Sequence, residues 1–253
     1  MDDVENVRKR FLDLYRRSQR DTRYCFTDFL SAADQSELIS LEQSGQIDAR
    51  YVSLYGGCEG AERQIARFGC EEEFGWTEDF PITILEVAPV LEKYGEELSH
   101  RDYLGSLMGL NIDRDTIGDI RISGKKAWIF TVERMADFIL ENLDEVRHTH
   151  VKVMRTDSLP EDAQVHFQEM ELIVSSERVD AVVAKLTNLA RSKVLELFRK
   201  QKVFINGRCT TDNSKKLAEG DILSVRGWGR VECGGIQGRT KKDRIVMLIK
   251  KYV

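Results

Sequence analysis

The side chains of this chain that could do chemistry are cations rather than nucleophiles or metal ligands. The densest group lies between Ala190 and Arg208. Arg191, Lys193, Arg199, Lys200, Lys202 and Arg208 crowd that run, and Glu196 is the one acid within it. Clustered Lys and Arg attract phosphate, so such a run can hold a folded polyanion electrostatically. Lys215, Lys216, Arg226 and Arg230 continue the pattern downstream. Residues 171–253 carry 18 Lys and Arg against 9 Asp and Glu, whereas residues 1–170 carry 20 against 34. The formal charge of −5 therefore hides a basic end and an acidic front, an asymmetry that points to nucleic acid at the basic end.

Other candidates are weaker. His100-Arg101-Asp102 pairs an imidazole with a carboxylate, but neighbours on a helix diverge by about 100°, so they make a poor acid–base couple. The trio reads as a helix cap, as an ion pair with the Asp113-Arg114-Asp115 loop, or as an RNA contact by His100, Arg101 and Arg114. Gly234–Lys242 looks like a phosphate loop, yet Arg239 stands where the second glycine of that motif belongs. It reads instead as a flexible basic loop in which Arg239, Lys241 and Lys242 can follow a backbone, or as a plain hairpin connection. Trp228 between two glycines could stack on a base or cover the small core beneath it. His148 and His150 have no evident third metal ligand, and the five cysteines are odd in number and never spaced CxxC. No metal, cofactor or disulfide framework is expected, and a reducing cytoplasm is.

The bulk properties fit that reading. A chain of 253 residues with 42% hydrophobic and 32% charged residues is long enough for two or three small domains with their own cores. Its acidic start lacks a secretory signal, and no apolar run approaches the roughly 20 residues that span a bilayer.

The elements that must position these residues fall into three expected domains. Residues 1–80 read as mostly helical: Val4, Val7, Phe11, Leu14 and Tyr15 recur at helical spacing, and Ser31 caps a helix through Leu41. Tyr51–Tyr55 reads as a strand, followed by a short helix over Ala61–Phe68. Residues 81–160 read as strand (Ile82–Val87), helix (Gly95–Leu110), strands (Asp119–Ser123 and Ala127–Thr131), helix (Val132–Leu143) and strand (Val151–Met154). That order, βαββαβ, is the split βαβ or ferredoxin-like plan, which RNA-recognition motifs also use. A junction near 156–170 leads to residues 171–253: strand Glu169–Val174, helices Val179–Leu189 and Arg191–Gln201, a hairpin, and strands Ile222–Val225 and Arg244–Tyr252. Asn206-Gly207 is the preferred pair for the type I′ turn of that hairpin, because both central residues need positive φ. In the second helix Val194, Leu197 and Phe198 share one arc, leaving Arg191, Lys193, Arg199, Lys200 and Lys202 over the rest. The fold class is α+β.

The basic region resembles the S4 RNA-binding domain, with its αL motif and β-hairpin. Arg178-Val-Asp180 and Arg191-Ser-Lys193 match the openings of its two helices, Val203, Ile205 and Asn206-Gly-Arg208 its hairpin, and Gly220-Asp-Ile222 its return strand. Gly56–Arg63, Leu98–Leu110, Asp113-Arg114, Ile117–Ile120, Arg226–Val231 and Thr240–Arg244 extend the resemblance over nearly the whole chain, to the YlmH family of bacterial S4-domain RNA-binding proteins. The chain departs from that family at Cys58, Gln64 and Ile65. The resemblance implies a non-enzymatic RNA-binding protein on structured RNA, rRNA or tRNA, associated with the ribosome. The large subunit is favoured, and the setting it implies is ribosome-associated quality control or rescue. It implies RNA contacts at Arg178, Arg191, Ser192, Lys193, Lys200, Lys202, Asn206, Gly207, Arg208, Lys215, Lys216, Arg226 and Arg230. Secondary contacts fall at His100, Arg101, Arg114, Arg239, Lys241 and Lys242. The rivals are a pseudouridine-synthase-like enzyme using the basic domain for delivery and a cell-division scaffold. Recognition would be by shape and phosphate, since side chains do not read the deep groove of A-form RNA.

Overall fold

A computed structural model describes residues 2–165 and 167–252; Met1, His166 and Val253 lie outside the described residues. The chain is a mixed α and β protein whose sheets are antiparallel, divided into two compact units, residues 1–164 and 165–253.

The first unit opens with helix α1 (Asp2–Asp21), strand β1 (Cys25–Leu30), helix α2 (Ala32–Gln43), strands β2 (Val52–Tyr55) and β3 (Gln64–Phe68), and the short helix α3 (Glu71–Phe74). The three strands pair in the order β1-β3-β2. This segment is thus mixed rather than mostly helical. The helix expected over Ala61–Phe68 is instead β3, the middle strand. The residues have helical composition, but Ile65, Ala66 and Phe68 are buried in the sheet and the Ala66 amide donates to the Thr27 hydroxyl at 2.9 Å. Strand pairing outweighs local propensity there. The α2 cap is the expected one: the Ser31 hydroxyl accepts from the Asp34 amide, and the Asp34 carboxylate accepts from the Ser31 amide.

The same unit continues with β4 (Ile82–Pro89), α4 (His100–Gly109), β5 (Ile117–Ser123), β6 (Lys126–Val132), α5 (Glu133–Asn142), β7 (Glu145–Val146) and β8 (Thr149–Thr156). The sheet order is β5-β6-β4-β8-β7, with every pair antiparallel. Residues 92–94 form a separate 3₁₀ turn, so α4 starts at His100 rather than at Gly95. Leu85, Val87, Ile129, Tyr103, Leu107, Ala136 and Ile139 bury the sheet against α4 and α5. Phe29, Ile65, Phe130 and Val132 form a second cluster that joins the three-stranded sheet to β6. Close approach at this seam requires glycine at 57: it lies at φ +92°, and a Cβ there would meet the Phe130 ring at 2.4 Å.

The second unit contains β9 (Phe167–Val174), α6 (Val179–Thr187), α7 (Arg191–Arg199), β10 (Val203–Ile205), β11 (Arg208–Cys209), β12 (Ile222–Val225), β13 (Gly229–Arg239) and β14 (Ile245–Tyr252). Its six strands run in the order β11-β10-β12-β13-β14-β9. The expected loop over Gly234–Lys242 is corrected: Gly234–Arg239 is the second half of β13, paired with β14 through register shifts at Cys233/Ile236 and Ile236/Gly238. Glycines in a strand commonly mark such bulges, and Gly235 sits there at φ +85°. Only the turn Thr240–Arg244 remains as a connection, closed by the Thr240 amide donating to the Arg244 carbonyl at 2.8 Å. Val182, Val183, Val194, Phe198, Val203, Leu223 and Met247 are among the residues of its core.

Candidate nucleic-acid interface

Two helices and a hairpin carry the expected basic site. Helix α7 buries Val194 and Phe198 and leaves Arg191, Ser192, Lys193, Arg199 and Lys200 exposed, with Lys202 exposed just beyond it. The apolar arc fixes which way the cations face. Both helices stop on residues in the left-handed region, Asn188 at φ +57° and Gln201 at φ +53°. These stops let a short second helix follow the first and a strand follow the second.

The opening of α6 is organised by one carboxylate. Asp180 is only 5% exposed and accepts two hydrogen bonds from the Arg178 guanidinium, at 3.0 and 2.8 Å. The Arg178 guanidinium holds the Asp180 carboxyl below its ordinary value, and Asp180 in turn raises Arg178. Arg191 stands 3.8 Å from the same carboxylate, so the first residues of both helices converge on it. The Arg178 backbone forms an isolated β-bridge with that of Lys216, whose side chain pairs with Glu177 at 3.2 Å, and the Val179 amide donates to the Lys215 carbonyl. Arg178, Arg191, Lys215 and Lys216 are thereby brought into one neighbourhood. A cavity of about 510 Å³ lies against it, lined in part by Arg178, Asp180, Lys185, Arg191 and Arg244. Lys185 and Arg244 were not among the expected contacts. Lys185 is a lone cation on the mostly apolar α6, and Arg244 lies far along the chain, so neither belongs to the crowded run that marks the site.

The hairpin forms as expected, with Asn206 and Gly207 at φ +50° and +73°. The Asn206 side chain is used within the fold: its amide nitrogen donates to Asp221 at 2.7 Å, and its oxygen accepts from the Ile222 amide at 2.8 Å. It pins β10 to the start of β12 and presents Arg208 on the far arm. Arg226 lies over the Phe204 ring at 4.8 Å and Arg230 over the Tyr252 ring at 3.8 Å. Trp228 packs on the core with Lys251 at 5.6 Å from its ring, so the covering role holds for its indole. Within α7, Glu196 pairs with Lys200 at 2.8 Å and Lys193 at 3.4 Å, and both lysines hold its carboxyl below the usual range.

The remaining candidates lie elsewhere. Arg239 pairs with Asp243 at 2.8 Å, while Lys241 and Lys242 are exposed in the 240–244 turn. His100, Arg101 and Arg114 belong to the first unit. Asp102 there caps α4 by accepting from the Ser99 amide and hydroxyl, so the His100–Asp102 pair is a helix start and not an acid–base couple. Arg114 donates to the carbonyls of Ile117 and Gly118. Among the described residues no three His, Cys, Asp or Glu are placed to hold a metal ion, and no helix is long and apolar enough to cross a membrane.

Comparison with known proteins gives this geometry its context. Residues 76–159 match a family described as "Putative RNA-binding domain in YlmH". The chain is 32% identical over 232 residues to the ribosome-associated protein quality control protein P2 of Bacillus subtilis (strain 168), covering 89% of this chain and 86% of that protein. A solved structure, the cell division protein ylmH from Streptococcus pneumoniae, superposes with a TM-score of 0.50 at 12% identity. That match covers 61% of this chain and 91% of that one, and it speaks to the fold alone. Identity of that extent over nearly the whole length places the chain: it belongs to the YlmH family.

Proposed function

We propose that this chain binds structured RNA and works in association with the ribosome, in ribosome-associated quality control. The reading rests on its likeness to the Bacillus subtilis protein that carries that name, and on the RNA-binding family matched at 76–159. The finer assignment is ours as well. Residues 171–253 act as an S4-like domain with an αL motif, residues 81–160 as a ferredoxin-like module beside an N-terminal domain over 1–80, and rRNA or tRNA on the large subunit is the target.

The observation that carries the reading is the surplus of cations around α7 and the hairpin. Two carboxylates, Asp180 and Glu196, serve Arg178, Arg191, Lys193 and Lys200, and Asp180 is already committed to Arg178. Arg199 and Lys202 are exposed beside them, with no ion pair among the described residues. Exposed cations without local acids are what a phosphate backbone neutralises. Arg191, Ser192, Lys193, Lys200 and Lys202 would meet phosphates, with Gly207 and Arg208 approaching at the hairpin and Lys216, Arg226 and Arg230 flanking. A non-enzymatic role fits the chemistry of the acids at this surface: Asp180 is consumed as a buried partner of Arg178, and Glu196 pairs with Lys193 and Lys200. With no bond made or broken, the work lies in shape and charge, and we place it in the cytoplasm.

Sedimentation of a lysate through a sucrose gradient, followed by crosslink sequencing, tests this. The protein should travel with ribosomal material and crosslink to rRNA or tRNA, and the Arg191→Ala/Lys193→Ala variant should lose most of that signal. A protein confined to light fractions with no RNA crosslinks would contradict the reading and favour a scaffold.

A further inference from the structure

The first unit holds a cation cluster that the C-terminal interface does not use. A cleft of about 310 Å³ is lined by Ser31, Ala32, Glu62, Arg63, His100, Arg114, Asp119, Ile120 and Arg121. Ligand pockets begin near 300 Å³, so the space suits one small group. Three arginines meet here, and two have acids of their own. Arg63 donates to Asp115 at 3.1 Å and Arg121 to Asp119 at 2.8 Å. Asp119 is further committed, accepting from the backbone amides of Glu62 and Arg63 at 2.9 and 3.1 Å.

Among the described residues, Arg114 is the one of the three without a direct ion pair, although Asp119, Asp115 and Glu62 act on it through space. It is half-buried and donates only to carbonyls, and among the described residues no carboxylate comes within ion-pairing distance of it. Burial and the neighbouring Arg63 push its pKa down, outweighing Asp119, Asp115 and Glu62, which raise it. Two further observations point the same way. The Arg121 Nε is buried with no hydrogen-bond partner, which native proteins rarely leave unexplained. Ala32 opens the twelve-residue helix α2, whose capping box takes up the Asp34 amide, turns the Asp34 carboxylate onto Ser31 and, among the described residues, leaves the Ala32 and Ala33 amides without an acceptor.

We propose that this cleft binds a single phosphate group, with Arg114 as its principal cation, His100 as a second donor, and Arg121 and the start of α2 completing the cradle. The site lies wholly within residues 1–164 and stands independently of the C-terminal interface. The phosphate could belong to an RNA backbone, an RNA end or a free nucleotide.

The test uses the full chain and NMR of the arginine Nε–H groups and the His100 ring. Inorganic phosphate is added against chloride at equal ionic strength. Saturable shifts at Arg114 and Arg121 are expected, together with a rise in the pKa of His100. That pKa is held down in the free protein by burial and by Arg114 and Arg121, and lifted by Asp119 and Glu62. Arg114→Gln, which keeps a donor for the Ile117 carbonyl, should weaken phosphate binding roughly tenfold or more, and His100→Asn should weaken it less. If Arg114→Gln fails to fold, His100→Asn decides. A nucleoside monophosphate and an RNA oligonucleotide with and without its 5′-phosphate identify the source: dependence on the end group assigns an RNA end or nucleotide, and indifference to it a backbone. Shifts that chloride reproduces, or that survive unchanged in both variants, overturn the proposal. Such a failure would leave the C-terminal reading intact, since that one is judged at Arg191 and Lys193.

Discussion

Helices α1 and α7 are both amphipathic and both carry more cations than acids, yet they pair those cations to different degrees. Every cation of α1 has a carboxylate within 4.0 Å: Arg8 with Glu37, Lys9 with Glu5, Arg10 with Asp28, Arg16 with Asp13, and Arg17 and Arg20 with Asp21. Around α7, Glu196 and the already occupied Asp180 serve Arg191, Lys193 and Lys200, while Arg199 and Lys202 stand beyond them. The number of arginines on a helix is therefore a poor guide to its attraction for phosphate. What counts is how many remain after local acids have been matched. Exposed pairs such as those of α1 contribute little to stability, but they remove charge from the surface.

The comparison can be broken first at the buried faces, where the two helices should behave alike. Phe11 is fully buried in the first unit and Phe198 is 2% exposed in the second. Phe11→Ala and Phe198→Ala should each destabilise the chain by about 3–5 kcal/mol, read as a fall in urea midpoint. A much smaller loss at Phe198 would mean that α7 is loosely held and that its cations have no fixed geometry. The next effect belongs to the hairpin beyond α7. Asn206→Ala puts a residue without a locally hydrogen-bonding side chain into the left-handed region that Asn tolerates, and removes two hydrogen bonds, for a loss of about 2–3 kcal/mol. Asn206→Gly keeps the turn and should lose about half of that. Equal losses for the two would show that the hydrogen bonds, not the backbone, set the turn.

A smaller effect separates the regions by pH. Arg178 lowers the pKa of Asp180 from its ordinary 3.8, so the folded chain binds that proton less readily than the unfolded one. The stabilisation is full above that ordinary value and is lost as pH falls through the lower folded one. Asp180→Asn should flatten this acid limb of the stability curve. An unchanged limb in the variant would assign the acid sensitivity to other carboxylates.

How much of this could be read in advance depended on how local the cause was. The Asn206-Gly207 turn, the Ser31 cap and the apolar arc of Val194, Leu197 and Phe198 are set by residues within one turn or one strand of each other. Gln64–Phe68 was legible only as helical composition, because the force that makes it a strand is pairing with β1 and β2. Gly234–Arg239 reads as a loop for a related reason: its glycines are bulges in a long strand, and only the partner β14 reveals that. The site divides the same way. Arg191 and Lys193 announce themselves by crowding, and His100 and Arg114 were candidates by resemblance, whereas Lys185, Arg244 and the placing of Arg63 and Arg121 beside Arg114 come from tertiary contact.

The salt dependence of RNA binding tests the central contrast most directly. Two double variants remove equal charge, Arg16→Ala/Arg17→Ala from α1 and Arg191→Ala/Lys193→Ala from α7. Affinity for purified tRNA and for an rRNA fragment is measured from low to high salt by fluorescence anisotropy. The α7 variant should bind more weakly and lose about two units of the slope of log affinity against log salt, roughly one per phosphate contact, while the α1 variant keeps both. Equal losses in the two variants, or no loss in either, would contradict the account.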